Sequence, residues 1–204
     1  MALRQLKKCR MKFSKKEIKD LVKAWIIISL IFTIGFGAKE LALKSLIIFA
    51  MAAFTVGLGF LLHELAHKFV AQRFKCWAEF RSFDQMLGIA LLLSFFGFIF
   101  AAPGAVMIRG RVDSRKNGLI SVAGPIINII LGIIFIIISF SSNKIISMIA
   151  SYGAEINLFL AIFNMIPFFV LDGAKVWKWN KIVYFITIGV AGLLLFARNK
   201  ILSL

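Results

Sequence analysis

The sequence predicts an all-α polytopic membrane protein with about five transmembrane helices and one further apolar segment, residues 86–108, that re-enters the membrane. Hydrophobic residues make up 61% of the 204-residue chain and the mean hydropathy is +0.93. A soluble core of this size cannot bury that much apolar surface. The apolar runs are separated by short basic segments, as in membrane proteins with short loops. We therefore expect residues 1–204 to form a single membrane-embedded domain.

The first 23 residues form a basic segment. Residues 1–23 carry nine lysines or arginines and only two acids. The positive-inside rule places such a segment in the cytoplasm. Ser14 followed three residues later by Glu17 indicates a capping box, which predicts a helix that starts near Lys15. This helix is expected to continue as the first span and to end near Gly37.

The formal net charge of +16 allows nucleic-acid binding as one explanation. Basic residues spread over short segments between apolar runs are more typical of cytoplasmic loops. We therefore expect membrane lipids, and no nucleic acid, as partners, because such segments attract anionic headgroups. Cys9 and Cys76 both lie in basic segments, so a structural disulfide is not expected.

A second span is predicted to begin near Ser45 and to carry His63, Glu64 and His67. Residues four apart share one face of a helix, and Glu64 stands beside them. His63 follows Ser45 by 18 residues, which is about 27 Å of helix in a hydrocarbon core about 30 Å thick. The two histidines are therefore expected in the cytoplasmic part of the membrane.

His63 and His67 are the only histidines in the chain. Zinc accepts imidazole nitrogens, and a catalytic zinc site has three protein ligands and an open position for water. The alternative is that both side chains are merely hydrogen-bonded within the bundle, but ionisable residues in apolar helices are costly and usually functional. We predict one Zn²⁺ per chain, with iron or cobalt as alternatives because affinity alone does not select zinc.

Residues 86–108 are uncharged and long enough for a full span. Basic residues flank both ends, so the positive-inside rule places both ends in the cytoplasm. Gly88, Gly97, Pro103 and Gly104 interrupt the run. We therefore expect a hairpin or loop packed against protein, where irregular backbone is tolerated. A full span is the alternative, and it would reverse the orientation of every later segment.

Three further spans follow. The third is expected over about 118–140, and the fourth runs from residue 145 or 155 towards Pro167. Because proline breaks a helix, residues 168–173 should be extended or irregular, with Asp172 at the cytoplasmic end. The C-terminal residues 182–204 are expected to carry the fifth span.

A third metal ligand is sought among the remaining acids, of which only Glu155 and Asp172 adjoin later spans. If the chain between them is helical, Glu155 lies roughly 25 Å from Asp172 and therefore near the outer face. Asp172 shares the depth of the histidines and is the predicted ligand. The alternative is an Asp-Gly turn at a helix end.

Two sequence stretches are His-Glu-Leu-Ala-His-Lys-Phe-Val-Ala at 63–71 and Asn-Met-Ile-Pro-Phe-Phe-Val-Leu-Asp-Gly at 164–173. Together they resemble the site-2 protease family of intramembrane zinc metalloproteases. Ala-Gly-Pro at 123–125, with Asn128, is similar to the middle segment of that family. The resemblance covers residues 45–181, the expected catalytic core.

The resemblance implies a zinc-dependent metalloendopeptidase that cleaves a transmembrane protein or peptide in or near a membrane helix, as in regulated intramembrane proteolysis. It implies Glu64 as the catalytic base. The metal ligands that it implies are His63, His67 and Asp172.

The same resemblance implies that Asn164 lies near the substrate or the active-site water, with an interhelical hydrogen bond as an equal alternative. For Asn128 the interhelical hydrogen bond is favoured. Two departures concern substrate entry and regulation. Many members have proline where Phe169 stands, and this chain has no room for the peptide-binding domain that many bacterial members contain.

Two other kinds of protein also fit a buried metal site. One is a zinc carrier or sensor without peptidase activity, although few further ligands line the other spans. The other is a soluble-type HExxH peptidase anchored in the membrane, which would need a sizeable exposed cleft that the short loops do not provide.

Overall fold

The computed structural model describes residues 12–35, 43–98, 103–168 and 171–202. It confirms a mainly helical architecture with a small two-stranded sheet. In chain order the elements are α1 (Lys15–Gly35), α2 (Leu43–Arg73), β1 (Trp77–Ser82), α3 (Asp84–Ser94), β2 (Gly104–Arg109), α4 (Ser114–Ser139), α5 (Lys144–Asn164), α6 (Asp172–Trp179) and α7 (Lys181–Leu202). The end expected for α1 near Gly37, and also Cys9 and Phe169, lie outside the described residues.

Four of the helices in the described ranges are long and apolar enough to cross a membrane, namely α2, α4, α5 and α7. Helix α1 has 21 residues but carries six charged side chains in its first half, from Lys15 to Lys23. The total of five spans therefore stays a prediction. Helix α4 begins four residues before the expected position, because the side chain of Asp113 accepts a hydrogen bond from Lys116 N and caps it.

The segment 86–108 is not one continuous helix. Strands β1 and β2 pair antiparallel, with Ser82 opposite Gly104 and Trp77 opposite Arg109. The chain thus leaves the sheet at Ser82, forms α3 and returns to the sheet at Gly104. The two ends of the segment therefore lie side by side, as expected of a hairpin, whereas its position in the membrane stays a prediction. The two strands themselves were not expected.

The capping box at the start of α1 is only half formed. Ser14 Oγ accepts from Glu17 N at 3.1 Å, as predicted. The Glu17 side chain, however, does not turn back towards the helix start but is fully buried against Lys68 of α2. A buried ammonium group competes for this carboxylate, because a charge-assisted hydrogen bond is stronger than a neutral one.

Helices α4 and α5 approach closely because each presents a glycine to a large side chain of the other. A Cβ at Gly132 would lie 2.7 Å from the side chain of Leu158. A Cβ at Gly153 would lie 2.8 Å from the ring of Phe135. Small residues at a helix interface permit this approach in membrane bundles.

Helix α2 contains a π-helical segment, Ala53–Gly57, before its metal-binding half. The side chains of two neighbouring helices bind its carbonyl groups. Trp25 Nε1 of α1 donates to Ala53 O at 3.0 Å, and Asn157 Nδ2 of α5 donates to Thr55 O at 3.4 Å. Helices α1 and α5 therefore hold the segment in which the helix changes its winding.

The hairpin predicts that residues 83 and 112 lie on the same side of the membrane. We expect a membrane-impermeant maleimide to label Phe83→Cys and Val112→Cys from one side. Ser142→Cys should be labelled from the opposite side, because the 26-residue helix α4 is about 39 Å long. The measurement uses inverted and right-side-out vesicles and a background in which Cys9 and Cys76 are alanine. Labelling of residues 83 and 112 from opposite sides would contradict the hairpin.

Candidate metal centre

The two histidines lie one turn apart on the buried face of α2. His63 and His67 are only 5% and 8% exposed, and their ring centroids are 4.6 Å apart. Both Nε2 atoms face the same carboxylate oxygen, Asp172 Oδ2, at 3.2 Å and 3.0 Å. The structure therefore brings together the three residues that sequence reasoning selected as ligands, although Asp172 lies more than a hundred positions after the histidines in the chain.

Asp172 reaches the histidines because the chain turns sharply after α5. Helix α5 ends at Asn164, Pro167 follows, and α6 begins at Asp172 itself. A Cβ at Gly173 would collide with the backbone carbonyl group of Met165, so only glycine lets α6 lie this close to the end of α5. Asp172 is therefore the first residue of a helix, rather than part of the irregular stretch expected over 168–173.

The Asp172 carboxyl group is paired with the two imidazoles. Burial raises its pKa, but the neighbouring imidazoles of His67 and His63 outweigh burial and lower the pKa of Asp172 below its ordinary value. Lys175 Nζ lies 3.7 Å from Oδ1, and its half-exposed side chain leads from the centre to the surface. A carboxylate must be deprotonated to bind a metal ion.

The orientation of one histidine ring is set by backbone. His67 Nδ1 lies 2.7 Å from Ile120 O of α4. Because a carbonyl oxygen only accepts, Nδ1 carries a proton, and Nε2 is the nitrogen of His67 that can bind a metal ion. His63 Nδ1 is buried and has no hydrogen-bond partner among the described residues.

Helix α4 leaves space for a metal ion where the nitrogens converge. A Cβ added at Gly124 would lie 2.5 Å from His63 Nε2 and 2.6 Å from His67 Nε2. One ligand atom from each of His63, His67 and Asp172 lies within 4.8 Å of the others. Two imidazole nitrogens and a carboxylate oxygen are a ligand set of catalytic zinc sites. The group fits one Zn²⁺.

Glu64 is buried next to His63 in the sequence of α2. It is 8% exposed, and its Oε2 atom has no hydrogen-bond partner within the described ranges.

The two candidate asparagines differ in their hydrogen bonding. Both amide atoms of the buried Asn128 lack a partner in the same ranges, whereas Asn164 Nδ2 donates to Leu160 O of its own helix at 2.9 Å. The interhelical hydrogen bond favoured for Asn128 is not among the described contacts.

Sequence reasoning missed two contributions of α4. Gly124 belongs to the Ala-Gly-Pro stretch that supports the family resemblance, but its position over the ligand nitrogens was not anticipated. Ile120 contributes a main-chain oxygen, which no side-chain pattern identifies.

An apolar helical bundle with a buried His-His-carboxylate group and an adjacent glutamate defines a membrane protein with a hydrolytic type of metal centre. Comparison with known proteins supports the assignment of a hydrolytic metal centre. The chain is 38% identical over 178 residues to "Putative zinc metalloprotease MJ0611" of Methanocaldococcus jannaschii, which covers 85% of this chain and 89% of that protein. The chain belongs to this zinc metalloprotease family.

Two further relatives carry similar names. "Putative zinc metalloprotease YwhC" of Bacillus subtilis is 29% identical over 60% of this chain and 65% of its own length. "Zinc metalloprotease MJ0392" of Methanocaldococcus jannaschii is 29% identical over 57% of this chain and 30% of its own length. No family model matches the chain. No solved structure matches it either.

Replacing Gly124 by alanine is expected to weaken zinc binding by at least tenfold, because the new methyl group occupies the space between the ligand nitrogens. Zinc content after dialysis against a graded chelator series measures this. Gly192→Ala in α7 is the matched control, since its Cβ would meet nothing within 4 Å. Equal zinc retention in the two variants would contradict the assigned position of the ion.

Proposed function

We propose that the protein is an intramembrane zinc-dependent endopeptidase of the site-2 protease type. Its substrate is a membrane protein, which it cleaves at a peptide bond in or near a transmembrane helix during regulated intramembrane proteolysis. One observation carries the proposal. Helix α2, which bears His63, Glu64 and His67, is itself long and apolar enough to cross a membrane. The substrate bond is therefore expected at membrane depth.

We propose that the N-terminus and the opening of the centre face the cytoplasm. Basic residues cluster after α2, on both sides of the hairpin and around α6, as the positive-inside rule expects of cytoplasmic ends. Trp77 and Trp177 stand beside two of these residues, Arg109 and Lys181. Tryptophan is enriched at membrane interfaces. The remaining basic residues of the cluster are Arg73, Lys75, Arg81, Arg111, Arg115, Lys116, Lys175 and Lys178.

The ligands are held by their surroundings before any substrate binds. Ile120 orients His67, and the approach of Gly173 to the end of α5 positions Asp172. His63, His67 and Asp172 would hold Zn²⁺, which would supply an activated water and polarise the scissile carbonyl group. Glu64 accepts the proton of the attacking water on its carboxylate and returns it to the leaving amine.

A substrate helix must open locally before cleavage, because its amides are hydrogen-bonded within the helix. The outer edge of β2 is a place for the opened backbone. Phe80 N of β1 donates to a side chain, so Phe80 and its partner Val106 form a pair without cross-strand hydrogen bonds. The N–H and C=O groups of Val106, and of Ile108 two residues on, therefore point away from β1. In the described ranges no third strand covers them.

The two asparagines extend the proposal. Asn128 lies one turn beyond Gly124 on α4, with an amide that no described protein group satisfies. An amide oxygen and an amide nitrogen are suited to bind a substrate N–H and C=O group. We assign Asn128 and Asn164 to substrate or water binding beside the centre, with Asn164 the weaker candidate because its nitrogen already serves Leu160 O.

Glu64→Gln is expected to retain zinc and to reduce cleavage of a single-span reporter by roughly a hundredfold or more, because the amide cannot accept the water proton. The test measures zinc per chain and initial rates in detergent or proteoliposomes. Asp113→Asn is the matched control, since Asp113 is an exposed acid and asparagine caps a helix equally well. Undiminished cleavage in Glu64→Gln would exclude it as the base.

Asp172→Ala is expected to lose zinc and cleavage together, because two imidazoles remain as protein ligands. Zinc titration against a competing chelator should show a loss in affinity of tenfold or more. Unchanged affinity would remove Asp172 from the ligand set. If the parent binds zinc but cleaves no reporter, and vesicles that contain it accumulate zinc, the protein is a zinc carrier rather than a peptidase.

A further inference from the structure

Lys68 is a buried cation directly next to a metal ligand. It follows His67 in α2, and neither Lys68 nor Glu17 of α1 has any exposed surface. Lys68 Nζ lies 2.5 Å from Glu17 Oε2. A lysine inside an apolar helix is costly unless it is paired, so this ion pair requires an explanation.

The start of α1 surrounds the ammonium group. Lys68 Nζ donates to Lys12 O at 2.8 Å and lies 3.8 Å from the centre of the Phe13 ring. All of its described partners thus belong to residues 12–17. These contacts attach the beginning of α1 to the turn of α2 that carries the metal ligands.

The second oxygen of Glu17 binds a different element. Glu17 Oε1 accepts from Phe80 N of β1 at 3.0 Å. The Phe80 side chain packs edge-on against Phe60 of α2, with ring centroids 5.7 Å apart. Phe60 precedes His63 by three residues in the same helix. One carboxylate therefore links α2 to the main chain of the sheet.

We propose that Glu17 is a positioning residue that fixes the β1–β2 sheet against the metal-binding turn of α2. This inference rests on the proposed peptidase function. An opened substrate strand on the outer edge of β2 then meets the metal centre at a constant distance. Glu17 also occupies the outer edge of β1 at Phe80, which leaves β2 as the edge open to another strand.

Stability alone does not account for this arrangement. A well-packed apolar pair of similar volume commonly replaces a buried ion pair without loss of stability. Such a pair would, however, leave Phe80 N–H without an acceptor inside the protein. The carboxylate is distinctive because it has two oxygens, one for each donor.

This difference separates two variants that break the same ion pair. In Glu17→Gln the single amide oxygen is drawn to Lys68, because a charged donor binds more strongly, and Phe80 N–H loses its acceptor. In Lys68→Met the carboxylate stays and continues to accept from Phe80. A role in stability affects both variants alike, whereas a positioning role affects Glu17→Gln alone.

The experiment compares zinc-loaded full-length variants by hydrogen exchange and by reporter kinetics. Glu17→Gln should speed amide exchange in peptides that contain residues 77–82 and should raise the KM for the reporter about tenfold. Its zinc content should stay unchanged. Lys68→Met should leave exchange and KM near the parent values. The double variant Glu17→Gln/Lys68→Met should restore both, since the amide oxygen is free to accept from Phe80 again.

Glu155→Gln is the matched control, because it removes a carboxylate from an ion pair that joins α5 to Arg198 of α7. Loss of folded enzyme lowers zinc content and the maximal rate but not KM. Unchanged exchange in Glu17→Gln, or unchanged KM in a cleaving enzyme, overturns the positioning role alone. A zinc-loaded parent that cleaves no reporter overturns the proposed function, and exchange still tests the contact between Glu17 and Phe80.

Discussion

The metal-binding group depends on the approach of α4 to α2 at a position without a side chain. Gly124 lies directly over the two Nε2 atoms of the histidines, and one turn earlier Ile120 contributes the carbonyl group that orients one ring. The other close contacts continue the same packing, since Gly132 and Gly153 bring α4 and α5 together. Asp172 follows α5, so the distance from α2 to the third ligand is set by two successive glycine-mediated helix contacts.

A second constraint is the burial of opposite charges one residue away from the metal ligands. The His67 side chain faces the centre, while Lys68 faces α1, so adjacent positions serve two different neighbours. Removing one partner of a buried ion pair typically costs about 3–5 kcal/mol, because the other charge is left uncompensated. The start of α1 is therefore part of the framework around the centre, although its sequence reads as a basic cytoplasmic segment.

The ligand set was predictable because few candidates existed. The chain has two histidines, both at helical spacing, and Asp172 was the acid that topology allowed at their depth. The hairpin over 86–108 followed from charges on both flanks. Tertiary contacts were not predictable in the same way. Glu17 has the sequence context of a capping box, yet its carboxylate binds Lys68 and Phe80, which lie more than fifty residues away. Nor does any local pattern distinguish Gly124 from a packing glycine.

The π-helical segment Ala53–Gly57 divides α2 into two halves whose faces are not in register. One additional residue in a turn rotates everything beyond it by about 100° relative to an uninterrupted α-helix. A helical wheel that starts at the metal ligands and treats all of α2 as a regular α-helix therefore misplaces the residues before Ala53. It predicts the wrong lipid-facing side chains in that first half. Leu46 stands 18 residues, five α-helical turns, before the buried Glu64 and so shares its face on that wheel, yet Leu46 is exposed. Alignments of related chains should accordingly place any one-residue gap in this helix at 53–57, where the helix already accommodates the difference.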